Sequence, residues 1–132
     1  RFLTLATVNE SSVVVGGVVH IFTWTPLTNV NVDGRWRYIA SYTDASVEMF
    51  GTFGGATVGF QGSNAPRGTT PTVGITIRDT GKVILEFTVN DLRQILEGVS
   101  QLRPLLTGGD GTTSVTVRVR TNGPEKMWQA QE

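Results

Sequence analysis

The amino-acid sequence predicts an all-β protein, a β-sandwich or jelly-roll-like single domain with one short helix. Valine, isoleucine and threonine, which suit the pleated, half-buried surface of a sheet, make up about a third of the chain. The 16 glycines and 5 prolines interrupt them at short intervals, as turns do between short strands. A chain of 132 residues is long enough to bury one hydrophobic core. We therefore expect one domain over residues 1–121 and a C-terminal tail over residues 122–132.

The strands are expected where runs of β-branched and aromatic residues are bounded by turn residues. The first run, residues 2–8, is followed by a polar turn at residues 9–12. The next, residues 13–24, is interpreted as one long strand bent at Gly16-Gly17, because paired glycines inside a strand usually mark a bulge or corner. Further strands are expected at residues 36–40, 46–53, 57–61, 73–78, 83–87 and 113–121.

Three local patterns refine this picture. Between residues 113 and 121, Val115, Val117 and Val119 alternate with polar residues, which is typical of a strand with one buried face. The tripeptide 79–81 predicts a hairpin turn in which Gly81 adopts a positive φ. Pro104 has no N–H to donate to a neighbouring strand, so the run 102–106 is predicted at a sheet edge.

One segment, residues 88–98, has the pattern of a short helix. Leu92, Ile95 and Leu96 follow the i, i+3, i+4 spacing of an amphipathic helix. Either Thr88 or Asn90 is a suitable N-terminal cap, and Gly98 is a suitable C-terminal stop. The sequence therefore predicts a helix here.

Charge and composition narrow the classes of function. Eleven basic residues balance eleven acidic ones, so the chain has no general attraction for nucleic acid or for an anionic membrane. No apolar run reaches the roughly 18 residues that a membrane-spanning helix requires. With no cysteine and one histidine, the common catalytic and metal-binding constellations are missing. We expect no catalytic residues, metal or cofactor, and neither nucleic acid nor membrane as a partner.

Several motifs have a chemical interpretation and a structural one. His20 lies among apolar residues without a recognisable catalytic partner, so a packed or surface histidine is favoured. The segment 29–34 resembles the first half of a calcium loop, but Ala40 stands where that loop needs a bidentate acid, so a polar turn is favoured. The glycine-rich segment 108–113 lacks the lysine and helix of a phosphate-binding loop, so it is interpreted as an inter-strand loop.

Two other functional possibilities stay open. A carboxylate pair of the kind that cleaves glycosides requires two acids that meet in space, and nothing in the sequence selects two. The acids considered are Asp44, Glu48, Asp79, Glu86 and Asp110. Trp24, Trp36 and Tyr38 are suitable for an aromatic platform for sugars, although such residues more often lie in the core or at an interface of a β-sandwich.

Several short motifs resemble those of a known protein family. They are, in chain order, Tyr42-Thr43-Asp44-Ala45-Ser46-Val47, Gly51-Thr52-Phe53-Gly54, Gly62-Ser63-Asn64, Leu102-Arg103-Pro104 and Gly108-Gly109-Asp110-Gly111-Thr112-Thr113-Ser114-Val115. Together they cover roughly residues 22–121 and resemble small virion proteins of tailed bacteriophages, encoded among the head genes, whose understood members resemble capsid decoration, or cement, proteins. The chain departs from the family pattern at residues 65–71.

The resemblance implies a non-enzymatic structural protein on the outer surface of the virion capsid. Such a protein binds the shell of major capsid protein and stabilises it. Self-association is also expected, with a trimer matching a quasi-threefold position of the shell. A carbohydrate-binding or host-adhesion module on the virion, and a tail or head-completion component, remain alternatives. The expected partner-contact residues, which include a contact arm over residues 1–10, are Phe2, Leu5, Trp24, Trp36, Tyr38 and Trp128.

Overall fold

The computed structural model describes residues 9–15, 19–39 and 44–122, and this part of the chain is all-β, with two antiparallel sheets. Its strands are β1 (Asn9–Val15), β2 (Val19–Leu27), β3 (Arg37–Tyr38), β4 (Asp44–Thr52), β5 (Ala56–Ser63), β6 (Ile75–Thr76), β7 (Asp91–Gln94), β8 (Gln101–Gly108) and β9 (Ser114–Asn122). One sheet has the order β1-β2-β9-β4-β7 and the other has the order β3-β8-β5-β6. The all-β prediction is confirmed, and the arrangement is sandwich-like.

Strand alternation explains how the two sheets share one core. In β9, Val115, Val117 and Val119 are buried, as the sequence predicts, while the residues between them are more exposed. In β5 of the other sheet, Val58 and Phe60 are buried at the same spacing. These side chains belong to one hydrophobic cluster to which β2, β4 and β8 also contribute. Burial of this apolar surface is the main stabilising term for the fold.

A segment between the two sheets, residues 73–96, covers one side of the core. We call it the 73–96 flank. It begins at β6, which pairs with β5, and ends after β7, which pairs with β4 of the other sheet. Between them, the Leu96 N–H donates to the carbonyl of Arg78 at 2.9 Å, and Asp79 forms an antiparallel bridge with Ile95. The flank therefore connects the edges of the two sheets.

The predicted helix at residues 88–98 is wrong, because β7 occupies its centre. Arg93 and Leu92 are the Cα partners of Val47 and Glu48 in β4. An isolated helix this short is marginal, whereas the edge of β4 offers unpaired backbone groups that a strand satisfies. The apolar residues of the predicted helical face also separate, with Ile95 in the core and Leu92 exposed.

The predicted start of the chain also requires correction. Residues 9–12 are not a turn but the first half of β1, and β1 pairs antiparallel with β2 from Asn9↔Thr25 to Val15↔Val19. The run 13–24 is therefore two paired strands and not one bent strand. Residues 1–8 and 123–132 lie outside the described part of the chain, and so does most of the predicted contact arm and of the C-terminal tail.

The hairpin predicted at residues 79–81 is present, with one residue of difference. The Lys82 N–H donates to the carbonyl of Asp79 at 2.8 Å, and Arg78 bridges to Ile84 across the turn. The positive φ falls at Lys82, at 66°, and not at Gly81. The carboxylate of Asp79 accepts hydrogen bonds from the N–H groups of Gly81 and Val83, which hold the turn in this form.

Pro104 lies in β8, between β3 and β5, and so not at the outermost edge of its sheet. The predicted edge position is therefore wrong, but the missing N–H does not interrupt the pairing of β8 with β5. The Pro104 carbonyl accepts from the Gly34 N–H, and the next residue but one, Leu106, donates to the Val32 carbonyl. The missing donor therefore faces the irregular segment 32–34 and not the regular pairing with β5.

Candidate binding surfaces

Three of the aromatic residues predicted at contacts lie in the described part of the chain, and their environments differ. Trp24 is only 1% exposed, and its indole N–H donates to the carbonyl of Arg35 at 3.0 Å. A side chain this deeply buried has no surface to offer a partner, so Trp24 belongs to the core and not to a contact. Trp36 and Tyr38 are half-buried and reach the surface. Phe2, Leu5 and Trp128 lie outside the described residues.

Arginine side chains lie over the aromatic rings of this region. The Arg103 guanidinium is 4.7 Å from the centre of the Trp36 ring, and the Arg67 guanidinium is 4.5 Å from that of Tyr38. Arg103 is also held by Gln61 at 2.8 Å and by an ion pair with Asp33 at 3.2 Å. Cation–π stacking fixes a guanidinium while leaving its edge donors accessible.

A depression of about 250 Å³ lies beside these rings. Its lining includes Arg37 and Arg67, together with His20, Phe22 and Tyr38. Within residues 9–15, 19–39 and 44–122, neither Arg37 nor Arg67 forms an ion pair with a carboxylate. Burial, followed by the positive charge of Arg37, lowers the pKa of His20. The depression therefore presents two guanidinium groups beside a histidine that is neutral at pH 7.

The loop that carries Arg67 is fixed from below by a buried glutamine. The side-chain amide of Gln101 donates to the carbonyls of Ala65, Pro66 and Thr69 at 3.2, 3.1 and 2.8 Å. The Thr69 N–H donates to the Pro66 carbonyl at 3.0 Å, and Gly68 has a φ of 84°, the pattern of a type II turn. Arg67 therefore stands at the tip of an ordered turn.

The second candidate surface is apolar and lies on the 73–96 flank. Among the described residues, eight large hydrophobic side chains are exposed, and seven of them belong to this flank. They are Val73, Ile75, Val83, Ile84, Val89, Leu92 and Leu96. Val73 and Ile75 also line a groove of about 470 Å³ against residues 62–65, where β5 ends. Exposed apolar side chains concentrated in one segment of a small domain are typical of a protein–protein contact.

Arg93 holds the flank together. Its guanidinium contacts the carboxylate of Asp79 at 2.5 Å and donates to the carbonyls of Glu86 and Ile84 at 2.7 and 3.2 Å. The same group lies 5.3 Å from the centre of the Phe87 ring. Arg93 belongs to β7, at the edge of one sheet, and these contacts bind it to the hairpin around Asp79, which follows β6 at the edge of the other sheet. The exposed apolar side chains of the flank therefore lie on ordered backbone.

The loss of stability at acidic pH is expected to depend on two carboxyl groups, Asp79 of this flank and the adjacent Glu97. Hydrogen bonds from Arg93 lower the pKa of Asp79; burial raises the pKa of Glu97, but its hydrogen bonds with Arg78 outweigh this and leave it lowered. A lowered carboxyl pKa stabilises the fold above the ordinary values of 3.8 and 4.5, and this contribution is lost as pH falls through the lowered folded value. Melting temperatures should therefore fall as the pH is lowered below about 4.

The variant Asp79→Asn tests this linkage. It should melt at a lower temperature than the unmodified protein at pH 7, because two backbone donors and Arg93 lose a charged acceptor. Its melting temperature should also change less between pH 5 and pH 3. An unaltered acid dependence in the variant would show that other carboxylates are responsible.

The other candidate motifs have structural roles. The segment 29–34 forms a turn in which the Thr28 hydroxyl accepts from the N–H groups of Val30 and Asn31. Among the described residues, no three His, Asp or Glu side chains are grouped so as to hold a metal ion. Of the five acids considered for a catalytic pair, Asp79 contacts Arg93, and Glu48 contacts Arg118 at 3.6 Å.

The loop 108–113 is an ordered connection between the two sheets. The Thr113 hydroxyl donates to the carbonyl of Phe53 at 2.9 Å, and the Thr112 hydroxyl donates to Asp110 at 2.5 Å. These Thr112 contacts lower the pKa of Asp110. A Cβ at Gly54 would meet the Asp110 carboxylate and the Thr113 hydroxyl. Two of the glycine motifs that carry the phage resemblance therefore pack against each other and stabilise the fold.

No protein-family model matches this chain, and no curated protein matches it significantly in sequence. The two surfaces are therefore identified by their own geometry. In the part of the chain that the structure describes, no helix has the length and apolar character needed to cross a membrane.

Proposed function

We propose that the protein is a non-enzymatic structural protein of the capsid decoration type. It binds the outer surface of a tailed-phage capsid, with the major capsid protein as its partner, and stabilises the expanded shell because it binds that state preferentially. The proposal is supported by the order of the phage-like motifs and by the concentration of exposed apolar side chains in one segment of a small all-β domain.

The 73–96 flank is the observation on which the proposal mainly depends. Leu92 is 65% exposed and Ile84 is 49% exposed, yet both lie on backbone that is held by β4 and by Arg93. Exposed apolar side chains on ordered backbone lose little conformational entropy when a partner covers them, so they contribute efficiently to binding. The flank is therefore the surface proposed to meet the capsid protein.

Many copies on one shell make modest affinity sufficient. A decoration protein binds at symmetry-related positions, and self-association lets several weak contacts act together. A homo-oligomer, a trimer at quasi-threefold positions, fits this arrangement. The arm over residues 1–10 remains a predicted second contact, with its last two residues already paired in the home sheet as part of β1.

Cosedimentation tests the proposal with particles assembled from the major capsid protein of the same genome. The purified protein should bind expanded particles saturably and raise their melting temperature. The double variant Ile84→Asp, Leu92→Asp places two charges on the flank and should weaken binding at least about 30-fold, the effect of losing a central contact of about 2 kcal/mol. Circular dichroism should show that the variant is folded, since both side chains are exposed.

Val30→Asp is the matched control. Val30 is 63% exposed and is the one of the eight exposed apolar side chains that lies outside the flank. Its substitution should leave particle binding unchanged. Failure of the unmodified protein to bind expanded particles would overturn the decoration function, whereas equal binding by the flank variant and the control would overturn the choice of surface.

A further inference from the structure

The depression beside Tyr38 is chemically unlike the apolar flank. None of the exposed large aliphatic side chains lines it, and its lining is instead made of guanidinium, imidazole and aromatic groups. A second depression, of about 320 Å³, shares Trp36 and Tyr38 with the first. Thr69, Thr70 and Gln101 also line it, so polar side chains lie beside the aromatic rings there. Two adjoining depressions thus lie along one pair of aromatic side chains.

The first depression is suited to a carboxylate. Arg37 and Arg67 line it from two separate segments, and each guanidinium lies over an aromatic ring, Arg37 at 5.4 Å from the centre of Phe22 and Arg67 at 4.5 Å from that of Tyr38. Stacking orients the planar fork of an arginine, and the fork matches the two oxygens of a carboxylate. Within the described residues neither guanidinium has a carboxylate partner, so their ion-pairing capacity is available to a ligand.

The second depression is suited to a neutral, hydroxyl-bearing neighbour of that carboxylate. Threonine hydroxyls and backbone groups at the turn can exchange hydrogen bonds with hydroxyl groups, while the half-buried faces of Trp36 and Tyr38 offer apolar contact to the carbons of a ring. The turn is ordered before any ligand arrives, because Gln101 holds three of its carbonyls. A preformed site loses less entropy on binding than a mobile loop.

We propose that this surface binds an acidic glycan. Arg37 and Arg67 hold the carboxylate of one sugar unit, and the adjacent unit lies in the second depression beside Trp36, Thr69 and Thr70. The inference does not rest on capsid binding, which uses a different surface. A protein partner fits less well because exposed aliphatic side chains are lacking here. A nucleic acid fits less well because the chain has zero net charge.

Calorimetric titration of the whole chain tests this site. The panel contains an oligogalacturonate and a sialylated oligosaccharide, which distinguish uronic from sialic acid units, and their methyl esters, which keep the sugar and remove the charge. One of the two acidic glycans should bind, and its ester should bind at least about tenfold more weakly, as expected when a charge-assisted contact is lost. An acidic peptide and an oligothymidylate complete the panel.

Arginine variants connect the binding to the site. Arg67→Ala, on an exposed turn, should weaken binding of the acidic glycan at least about tenfold, and Arg67→Lys should restore only part of it, because an ammonium cannot make the paired contact. Arg120→Ala is the control: Arg120 is exposed on β9 opposite Ile21, and so lies on the other face of the sheet from His20. It should bind as the unmodified protein does.

Four outcomes would overturn the proposal. They are absence of binding to both acidic glycans at millimolar concentration, equal binding of acid and ester, unchanged binding by Arg67→Ala, and tighter binding of the peptide or the oligonucleotide. None of them bears on cosedimentation with capsids, so the failure of this proposal and the failure of the decoration function can be told apart.

Discussion

Replacing Trp24 with alanine is expected to cost about 3–5 kcal/mol of unfolding free energy, the range for truncating a buried tryptophan. The side chain is 1% exposed and packs where a Cβ on Gly34 would already collide with its ring. Its removal leaves a large cavity between the sheets and also leaves the Arg35 carbonyl without its indole donor. A domain of ordinary stability, about 5–15 kcal/mol, would lose a large share of its margin.

Urea unfolding measures this loss, with Trp36→Ala as the matched control. Trp36 is half-buried, and its ring packs under Arg103 at the surface, so truncation should cost only about 1–2 kcal/mol. The order of the two variants is the informative result. The contrary result would be a Trp24→Ala variant that is as stable as Trp36→Ala but fails to bind a partner. That result would support the sequence-based interpretation of Trp24 as a contact residue and contradict its burial in the core.

The difference between these two tryptophans shows what sequence periodicity leaves undecided. Both stand in β-favouring runs, and both satisfy the pattern of an interface aromatic. Trp24 is buried because it lies with Phe22 on the face of β2 that packs into the core, whereas Trp36 precedes the two-residue strand β3 in an irregular segment. The pairing of distant strands decides which aromatic residue is covered, and a single sequence does not contain that pairing.

The alternation of apolar and polar residues predicts the structure correctly where the local preference of the sequence agrees with the packing of the whole fold. Val115, Val117 and Val119 were predicted on one face of a strand and are buried together in β9. At residues 88–98 the preferences disagreed, because Leu92, Ile95 and Leu96 also match the spacing of a helix. The open edge of β4 then decided the conformation, since strand pairing satisfies backbone groups that a short helix leaves exposed at both ends.

The two candidate surfaces were only partly visible in the sequence. Arg35-Trp36-Arg37-Tyr38 alternates basic and aromatic residues, which is a recognisable sign of a binding surface. Arg67 and Gln101, however, come from segments about 30 and 65 residues away and join this run only through the fold. The apolar residues of the 73–96 flank match ordinary strand patterns, and no local rule states which of their faces stays uncovered.

Replacing Gly51 with alanine is the second change expected to have a large effect. Gly51 has a φ of 135°, a conformation that is essentially restricted to glycine, and a Cβ there would collide with the backbone carbonyl of Ser114 in β9. Strain and overpacking together should cost about 2–5 kcal/mol. A backbone obstacle cannot rotate away as a flexible side chain can, so the pairing of β4 with β9 must shift at Gly51↔Val115.

Gly111→Ala is the matched control for Gly51→Ala, because Gly111 is exposed and its Cβ would enter open space. Its effect should stay within about 0.5 kcal/mol. Both glycines belong to the motifs that carry the phage resemblance, so the comparison separates two reasons for such motifs. If they shape the fold, Gly51→Ala melts at a much lower temperature and Gly111→Ala does not. If Gly51→Ala keeps its stability but loses binding to capsid particles, the glycine motif is a contact site. The pairing of β4 with β9 would then not require glycine at position 51.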